Sequence, residues 1–432
     1  MEMINFDSIL LGEIFLFILL NSIWIGLFFG SKKKKYRRNS VEPKVSIIIP
    51  AYNNAQTIEK TINCVLKMDY PDKEIIVIND GSTDNTLKIC KKFEKQKKIK
   101  LISYSKNKGK AHALNRGIKS AKGEIIVTVD ADSYPKPDSL KKLVKYFSDP
   151  MVGAVAGTIK VHKKKNFLTL SQSLEYIHQG FQRLCQSFIN AVMVAPGPLT
   201  AYRKEALVKA GYFEDNTLVE DFDMTIKIHK VGYKVVSEKK AIAFTEVPIT
   251  IKKWWRQRVR WSRGGVQIFK KHLDIFKSKN IKPLAYFSFP MHILWLGLPF
   301  ILLPTFLFNI CRGIHFSLQN FILSLSNLEF SLPNLTFYFS LKSRSIYLFF
   351  VSFQEWFLTF FGLDHYNPLI VFGYISVFLF LIFTALSFKN LNEKFKPKDL
   401  IALGLLNIYW FLLTIVGIYG IILELLSKKK EW

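Results

Sequence analysis

Residues 124–132 read EIIVTVDAD: a run of β-branched residues that ends on Asp130 and Asp132. The same shape occurs upstream, in VSIIIP (45–50), EIIVIND (74–80) and KLISYS (100–105). Near-continuous apolar strands are buried on both faces, which points to a parallel sheet covered by helices. Amphipathic stretches at 55–67, 83–97, 109–121 and 137–147 supply the covering helices. Thr57 or Asn54 is placed to cap the first, and Ser82-Thr83 the second. Alternating strand and helix predicts an α/β fold. In such sheets ligands bind outside the carboxyl ends of the strands. The positions of interest are therefore Tyr52, Asn53, Asp80, Asp130 and Asp132.

Outward from this core the chain changes character. Its 432 residues include 61 Lys+Arg against 33 Asp+Glu, a net +28, yet 49% are hydrophobic and 38 are Phe. The two properties are segregated: 9–30 and nearly everything after 283 are apolar, while 31–281 is polar and Lys-rich. That excludes a disordered chain, a collagen-like fibre and a wholly soluble enzyme. Four scattered cysteines (64, 90, 185, 311) exclude a disulfide scaffold, and none has CxxC or Cys/His metal spacing.

Crossing a bilayer takes about 20 apolar residues in a helix. Segment 9–30 carries Glu13 and no other charge, and the basic run SKKKKYRR (31–38) follows it. A cleaved signal peptide has the opposite order, so a retained anchor with the polar domain on the cytoplasmic side is expected. Further candidate spans are 284–310, 345–364, 368–387 and 400–425. Segment 345–364 carries Gln354 and Glu355 and reads as a span, an interfacial helix or a pore lining. Segment 316–342, broken by Asn, Ser and Pro333, is expected to lie outside the bilayer. The basic loop 388–398 and tail 428–430 cannot both be cytoplasmic across one helix, which leaves three or four C-terminal spans. The expected organisation is an anchor with its basic flank (1–40), a cytoplasmic domain (41–250), interfacial helices (251–282) and C-terminal transmembrane helices (283–432).

The strand ends are acidic. NDGS (79–82) sets Asp80 beside a glycine suited to a tight turn. In DAD (130–132) alternate residues of an extended segment point the same way, so two carboxylates converge. They repel unless a cation lies between them, and Mg²⁺ or Mn²⁺ shared with phosphate oxygens meets that need. A helix cap or Asx-turn is the structural alternative for either aspartate.

PAYNN (50–54), INDGS (78–82), KGKAHALNRG (108–117), DADSYPKPDSL (130–140), GPLTAYRKEAL (197–207), LVEDFDMT (218–225) and QRVRW (257–261) stand in one order. Together they resemble the inverting family 2 glycosyltransferases, over about residues 45–270. Within that family the chain resembles the membrane-embedded processive synthases of cellulose, hyaluronan and poly-N-acetylglucosamine, and its layout is most like the last. The resemblance implies a GT-A type, Rossmann-like glycosyltransferase domain on the cytoplasmic side, with an α-helical transmembrane region.

It also assigns roles. Ala51 and Tyr52 would lie near the base of the nucleotide, Asp80 on the uridine, and Lys110 on the uridine or diphosphate. Asp130 would lie near the ribose or sugar and share with Asp132 a Mg²⁺ or Mn²⁺ that stabilises the leaving UDP. In the acidic motif Asp221 would be the general base, Glu220 its support, and Asp223 a holder of the next helix. In QRVRW, Arg260 would bind diphosphate with help from Arg258, Trp261 would stack on an acceptor sugar, and Gln257 would bond ligand or hold the loop. The surrounding KKWWRQRVRWSRGG (252–265) also reads as an interfacial amphipathic helix. Gly197, Pro198 and Arg203 match the segment bordering the acceptor, although Gly197-Pro198 departs from the commoner Cys/Ser-Gly. Asn54 stands where many relatives carry an acid. His112 and His178 have no metal partner in the pattern and read as core or surface histidines.

The function the resemblance implies is transfer of a sugar from a UDP-sugar, UDP-GlcNAc by layout, to the growing end of a polysaccharide. That transfer would be processive, coupled to export and located in the plasma membrane. Gln354, Glu355, Asn407 and Tyr409 are candidates for a polar export lining, with helix–helix hydrogen bonding as the alternative. The expected partners are a UDP-sugar, a glycan or lipid-linked acceptor and membrane lipids, with accessory export subunits open and no nucleic acid. A non-processive transferase acting on a polyprenyl-phosphate or glycolipid keeps the same aspartates. A non-catalytic export subunit has no chemical need for intact DAD and Glu220-Asp221.

Overall fold

The computed structural model describes residues 6–31, 42–278, 281–326 and 368–426. The basic run after Ser31, segment 345–364 with Gln354 and Glu355, Pro333 and the tail 428–430 lie outside the described residues.

The polar domain is built on one eight-stranded sheet with order β3-β2-β1-β4-β7-β6-β8-β5. Its strands are β1 (Val45–Ala51), β2 (Lys73–Asp80), β3 (Lys100–Tyr104), β4 (Ile125–Thr128), β5 (Ser133–Pro135), β6 (Val152–Val161), β7 (Thr200–Arg203) and β8 (Lys234–Thr245). β1 to β4 are mutually parallel, as the apolar runs predict. The other half is mixed: β7 is antiparallel to both β4 and β6, β6 is parallel to β8, and β5 is antiparallel to β8. Strand β7 is only four residues, TAYR, too short to show a period in the sequence.

Alternate residues of the parallel strands feed opposite cores, as a period of two requires. Ile47, Ile49, Val77 and Val127 pack with Ile58 and Ile62 of α2 (Ile58–Leu66), Cys90 of α3 (Thr86–Lys95) and Leu140 of α5 (Ser139–Val144). On the other face, Ile48, Ile76 and Ile126 pack with Leu114 and Ile118 of α4 (Lys110–Ser120), Leu207 of α7 (Lys204–Lys209) and Met224 and Ile228 of α8 (Glu220–Lys230). The helix α6 (Phe167–Phe188) packs against β6 and β8. It starts with a capping box in which Asn166 accepts from Thr169 N–H. The next helix, α9 (Ile251–Lys271), starts at Thr250 and carries QRVRW.

The remaining helices are α1 (Phe6–Gly30), α10 (Phe289–Ser326), α11 (Pro368–Asn390), α12 (Pro397–Gly404) and α13 (Leu406–Leu425). The chain divides into two compact units. One comprises 1–26, 297–385 and 410–415; the other comprises 27–296, 386–409 and 416–432, and so contains the whole sheet. Among the described residues four helices are long and apolar enough to cross a membrane: Ile9–Gly30, Leu284–Thr305, Val371–Asn390 and Leu406–Leu425. Helix α10 runs on to Ser326, into the segment from 316 that was expected to lie outside the bilayer, and residues 327–342 lie outside the described residues. No proline lies between Pro304 and Ser326, and isolated Asn and Ser cost a helix little.

Candidate active site

Two turns at the carboxyl edge of the sheet are sewn together by short polar side chains. After β1, Asn53 takes a left-handed φ of 51°. Its Oδ1 accepts from Thr83 N–H at 2.8 Å, and its own N–H donates to Ser82 Oγ at 3.0 Å. Asn54 N–H donates to Thr86 Oγ1 at 2.8 Å, and Asn54 Oδ1 accepts from Tyr52 N–H at 3.0 Å. The expected caps are therefore corrected. Ser82 and Thr83 serve the Asn53 turn, and Thr57 makes no side-chain cap bond. Asp84 instead accepts from Thr86 N–H at 2.9 Å and from Ala55 N–H at 3.0 Å. Tyr52 remains exposed beside the buried Ala51.

At the end of β2, Asp80 is 3% exposed, and each carboxylate oxygen accepts one backbone amide, from Lys108 and Gly109, both at 2.9 Å. Gly81 makes this possible. Its φ is +71°, and a Cβ there would stand 2.4 Å from Asn107 N. Asp80 thus fixes the loop that delivers Lys110 at the start of α4.

Lys110 Nζ lies 2.7 Å from Asp130 Oδ1 and 3.0 Å from Glu220 Oε1. Asp221 Oδ2 accepts from Gly197 N–H at 3.0 Å. A Cβ on Gly197 would come within 3.0 Å of Lys110 Nζ and 3.3 Å of both Asp130 carboxylate oxygens. Four separate motifs therefore meet at one point, with Lys110, Asp130, Gly197, Glu220 and Asp221 in a single constellation.

The electrostatics divide the carboxylates. Burial opposes the Lys110 charge, but Asp130, Glu220 and Asp221 hold its pKa above the ordinary lysine value. Burial also acts on Glu220, where Lys110 and Arg260 outweigh it and hold the pKa low. Asp221 goes the other way: burial and the neighbouring Glu220 raise it. Asp132 is pushed up to about 6 by burial and by Asp130. Two hard oxygen donors in mutual repulsion fit a Mg²⁺ or Mn²⁺ ion. Among the described residues no three or more His, Cys, Asp or Glu side chains are arranged as ligands of one metal ion. The protein would therefore contribute two carboxylates and leave the remaining positions to diphosphate and water.

QRVRW separates into distinct roles. Arg260 Nη1 donates to Leu218 O at 3.0 Å, just before the acidic motif. Trp261 is half-buried and packs against the cluster of Met193, Val219 and Phe222. Gln257 Oε1 is buried with no hydrogen-bond partner among the described residues. Arg258, expected to assist at the diphosphate, is instead 3% exposed and paired with Glu175 at 2.7 Å. Arg203 is likewise spent on structure, donating to the carbonyls of Val152, Phe147 and Asp149. Tyr409 is 1% exposed and bonded to Glu175, so hydrogen bonding between helices accounts for it, while Asn407 is exposed. His178 is buried, which brings its pKa down to about 4, and His112 packs edge-on against Tyr104.

The sequence motifs did not include α6, yet this helix borders the constellation. Burial brings the Arg183 guanidinium down to about 10, opposed by the charge of Asp221. Burial pushes the Tyr176 phenol up to about 12, with Arg258, Glu175, Asp132 and Asp130 all acting on it. The available signal was a row of polar residues at helical spacing, Glu175, Gln179 and Arg183, that includes the only charged side chains of an amphipathic helix.

The glycosyl transferase family 2 profile matches residues 46–211, from β1 through α7. A poly-beta-1,6-N-acetyl-D-glucosamine synthase of Staphylococcus epidermidis is 33% identical over 293 residues, 65% of this chain and 70% of that protein. The synthase of the same name from Staphylococcus aureus (strain COL) is 34% identical over 252 residues, 58% of this chain and 60% of that protein. Among solved structures, the mannosyltransferase PcManGT of Pyrobaculum calidifontis, in complex with GDP-Man and Mn²⁺, superposes with a TM-score of 0.56. It is 25% identical, and the match covers 90% of this chain and 97% of that one. The ordered motifs, the mixed sheet with its acidic strand ends and these matches have one reading: the chain belongs to glycosyl transferase family 2.

Proposed function

We propose that this chain is a membrane-embedded, inverting polysaccharide synthase that transfers GlcNAc from UDP-GlcNAc to the end of a growing β-1,6-linked glycan. The observation that carries the reading is the Lys110–Asp130–Glu220–Asp221 constellation, with distances of 2.7 and 3.0 Å at Lys110. The donor and linkage rest on the relatives named above. A multi-pass plasma-membrane location with the sheet domain in the cytoplasm rests on the four apolar helices and on the basic run that follows the first.

In one step the acceptor oxygen forms a bond to the anomeric carbon as the bond from that carbon to the diphosphate oxygen breaks. Asp221 takes the acceptor hydroxyl proton, and UDP leaves. Direct displacement inverts the anomeric configuration and uses no enzyme nucleophile, unlike a double-displacement glycosidase. Burial and Glu220 raise the pKa of Asp221, which makes it a stronger base than an ordinary aspartate. Glu220 stays ionised and, with Asp130, holds Lys110 where it reaches the diphosphate. Asp80 keeps the Lys110 loop in register, and Ala51 and Tyr52 border the base. Arg260 adds a second cation on the diphosphate side, and Gln257 and Trp261 receive the acceptor past Gly197-Pro198. Asp130 and Asp132 would hold a Mg²⁺ or Mn²⁺ ion, which supplies Lewis-acid neutralisation of the departing diphosphate.

The test is UDP release by the nanodisc-embedded protein with UDP-GlcNAc, UDP-Glc, UDP-Gal and UDP-GlcA supplied separately, with and without chelator. The reading predicts release with UDP-GlcNAc, loss on chelation and a long β-1,6 polymer. A single-sugar lipid product would refute processive synthesis, and preference for another donor would refute the sugar.

A further inference from the structure

Arg258 sits inside QRVRW but does not face the donor constellation. It is 3% exposed. Its Nη2 donates to Glu175 Oε2 at 2.7 Å and to the Tyr409 hydroxyl oxygen at 3.2 Å. Tyr409 in turn donates to the same Glu175 oxygen at 2.5 Å, and Trp254 Nε1 donates to Tyr409 at 3.2 Å. Three helices distant in sequence, α6, α9 and α13, therefore converge on one carboxylate oxygen.

Arg258 is also the support of Trp261. The two residues are three apart on α9 and share a helix face. The guanidinium lies 4.2 Å from the Trp261 ring centroid and 5.8 Å from that of Trp254. A cation stacked on one face of an indole pins the ring and leaves a single face to offer a ligand. Arg258 Nε and Nη1 are buried with no partner among the described residues, so Glu175 supplies the charge balance. A buried ion pair is rarely kept for stability alone, because well-packed apolar groups do as well. Its geometric rigidity is what an apolar replacement lacks.

We propose that Glu175, Arg258 and Tyr409 form a buried clamp that sets the orientation of Trp261, making Arg258 a positioning residue for the acceptor subsite and for chain length. This rests on the reading of Trp261 as the surface that receives the acceptor sugar. Lysine cannot replace the fork of Arg258, since one ammonium does not reproduce the planar contact with both Glu175 and an indole.

The test compares Glu175→Gln, Tyr409→Phe, Arg258→Lys and Trp261→Ala with wild type in nanodiscs. Three quantities are read: KM for UDP-GlcNAc, polymer length, and affinity for a β-1,6-GlcNAc oligosaccharide by tryptophan fluorescence. Misplacing a reacting group by about 1 Å costs on the order of a hundred-fold. The clamp variants should therefore extend chains roughly ten- to a hundred-fold more slowly, release shorter products and bind the oligosaccharide more weakly. Donor KM should stay within about two-fold, because the donor constellation is untouched. Unchanged product length and oligosaccharide affinity in the clamp variants, with both lost in Trp261→Ala, would overturn the clamp and leave the acceptor reading standing. A raised donor KM with unchanged product length would overturn it as well. Wild-type behaviour of Trp261→Ala would remove the acceptor reading and the clamp together. Tyr409→Phe deletes one hydroxyl only and keeps the comparison informative if Glu175→Gln fails to fold.

Discussion

Asp221 is buried beside Glu220, and that one placement sets both its chemistry and its cost. Its pKa is raised, so the stability linked to it is fully present below the unfolded value, 3.8, and is lost as pH rises through the higher folded value. At neutral pH the ionised Asp221 carboxylate destabilises the fold. Asp221→Asn should therefore lower transfer by about 10²- to 10⁴-fold without lowering the melting temperature, and a thermal scan beside a UDP-release assay checks both. The acid limb of kcat/KM should have its midpoint above the ordinary aspartate value. Lys110→Met should move it higher still, because Lys110 opposes the upward shift. Gly81→Ala should cost about 1–3 kcal/mol and weaken UDP binding, since φ is +71° and the new Cβ would strike the Asn107 backbone. Isothermal denaturation together with UDP titration reads that change. At this scale the acidic residues around Lys110 were legible in sequence, Asp130 from the end of an apolar run and Glu220-Asp221 from the family's acidic motif. Arg258 was not: its partners Glu175 and Tyr409 lie 83 and 151 positions away, and QRVRW by itself invites a diphosphate role for both arginines.

Helix α8 begins with Glu220 and Asp221 and is moored by Asp223. The Asp223 carboxylate is buried, and its Oδ1 lies 2.8 Å from both His272 Nε2 and Lys271 Nζ. Burial opposes its ionisation, but those two partners outweigh it and hold the pKa below the ordinary value. The contribution to stability is therefore present above 3.8 and is lost as pH falls through the lower folded value. Asp223→Ala takes the buried carboxylate from His272, while Lys271 keeps Glu214, and should cost about 1–3 kcal/mol at neutral pH. Denaturation of the variant should show a deficit that stays level between neutral and mildly acidic pH and shrinks only in strong acid. Asp223, the fourth residue of α8 and expected to hold this helix, ties it to Lys271 and His272 at the end of α9. The helices of the parallel half and their order were readable from apolar periodicity. Their caps were not, because Ser82 and Thr83 are recruited across to the β1–α2 turn, and hydrogen bonds between loops leave no local pattern. The mixed half was hidden for a similar reason: β7 is four residues long and owes its direction to β4 and β6.

The whole chain separates a charge of +28 from its apolar helices, four of which are long enough to span a bilayer. This segregation was the plainest message of composition, and the four apolar helices of the structure agree with it. The number of C-terminal spans was not readable, because Gln354 and Glu355 interrupt one apolar stretch and basic segments flank the last helix on both sides. The protein should sediment with membranes and resist extraction by alkaline carbonate, as an embedded chain does. The central claim is that one buried carboxylate, Asp221, drives repeated addition of GlcNAc from UDP-GlcNAc. The direct measurement is the size distribution of the product made from UDP-GlcNAc by wild type and Asp221→Asn in nanodiscs with Mg²⁺ or Mn²⁺. A long β-1,6 polymer from wild type and none from a folded, UDP-binding Asp221→Asn is the result expected. Polymer of equal length and yield from Asp221→Asn would contradict the account.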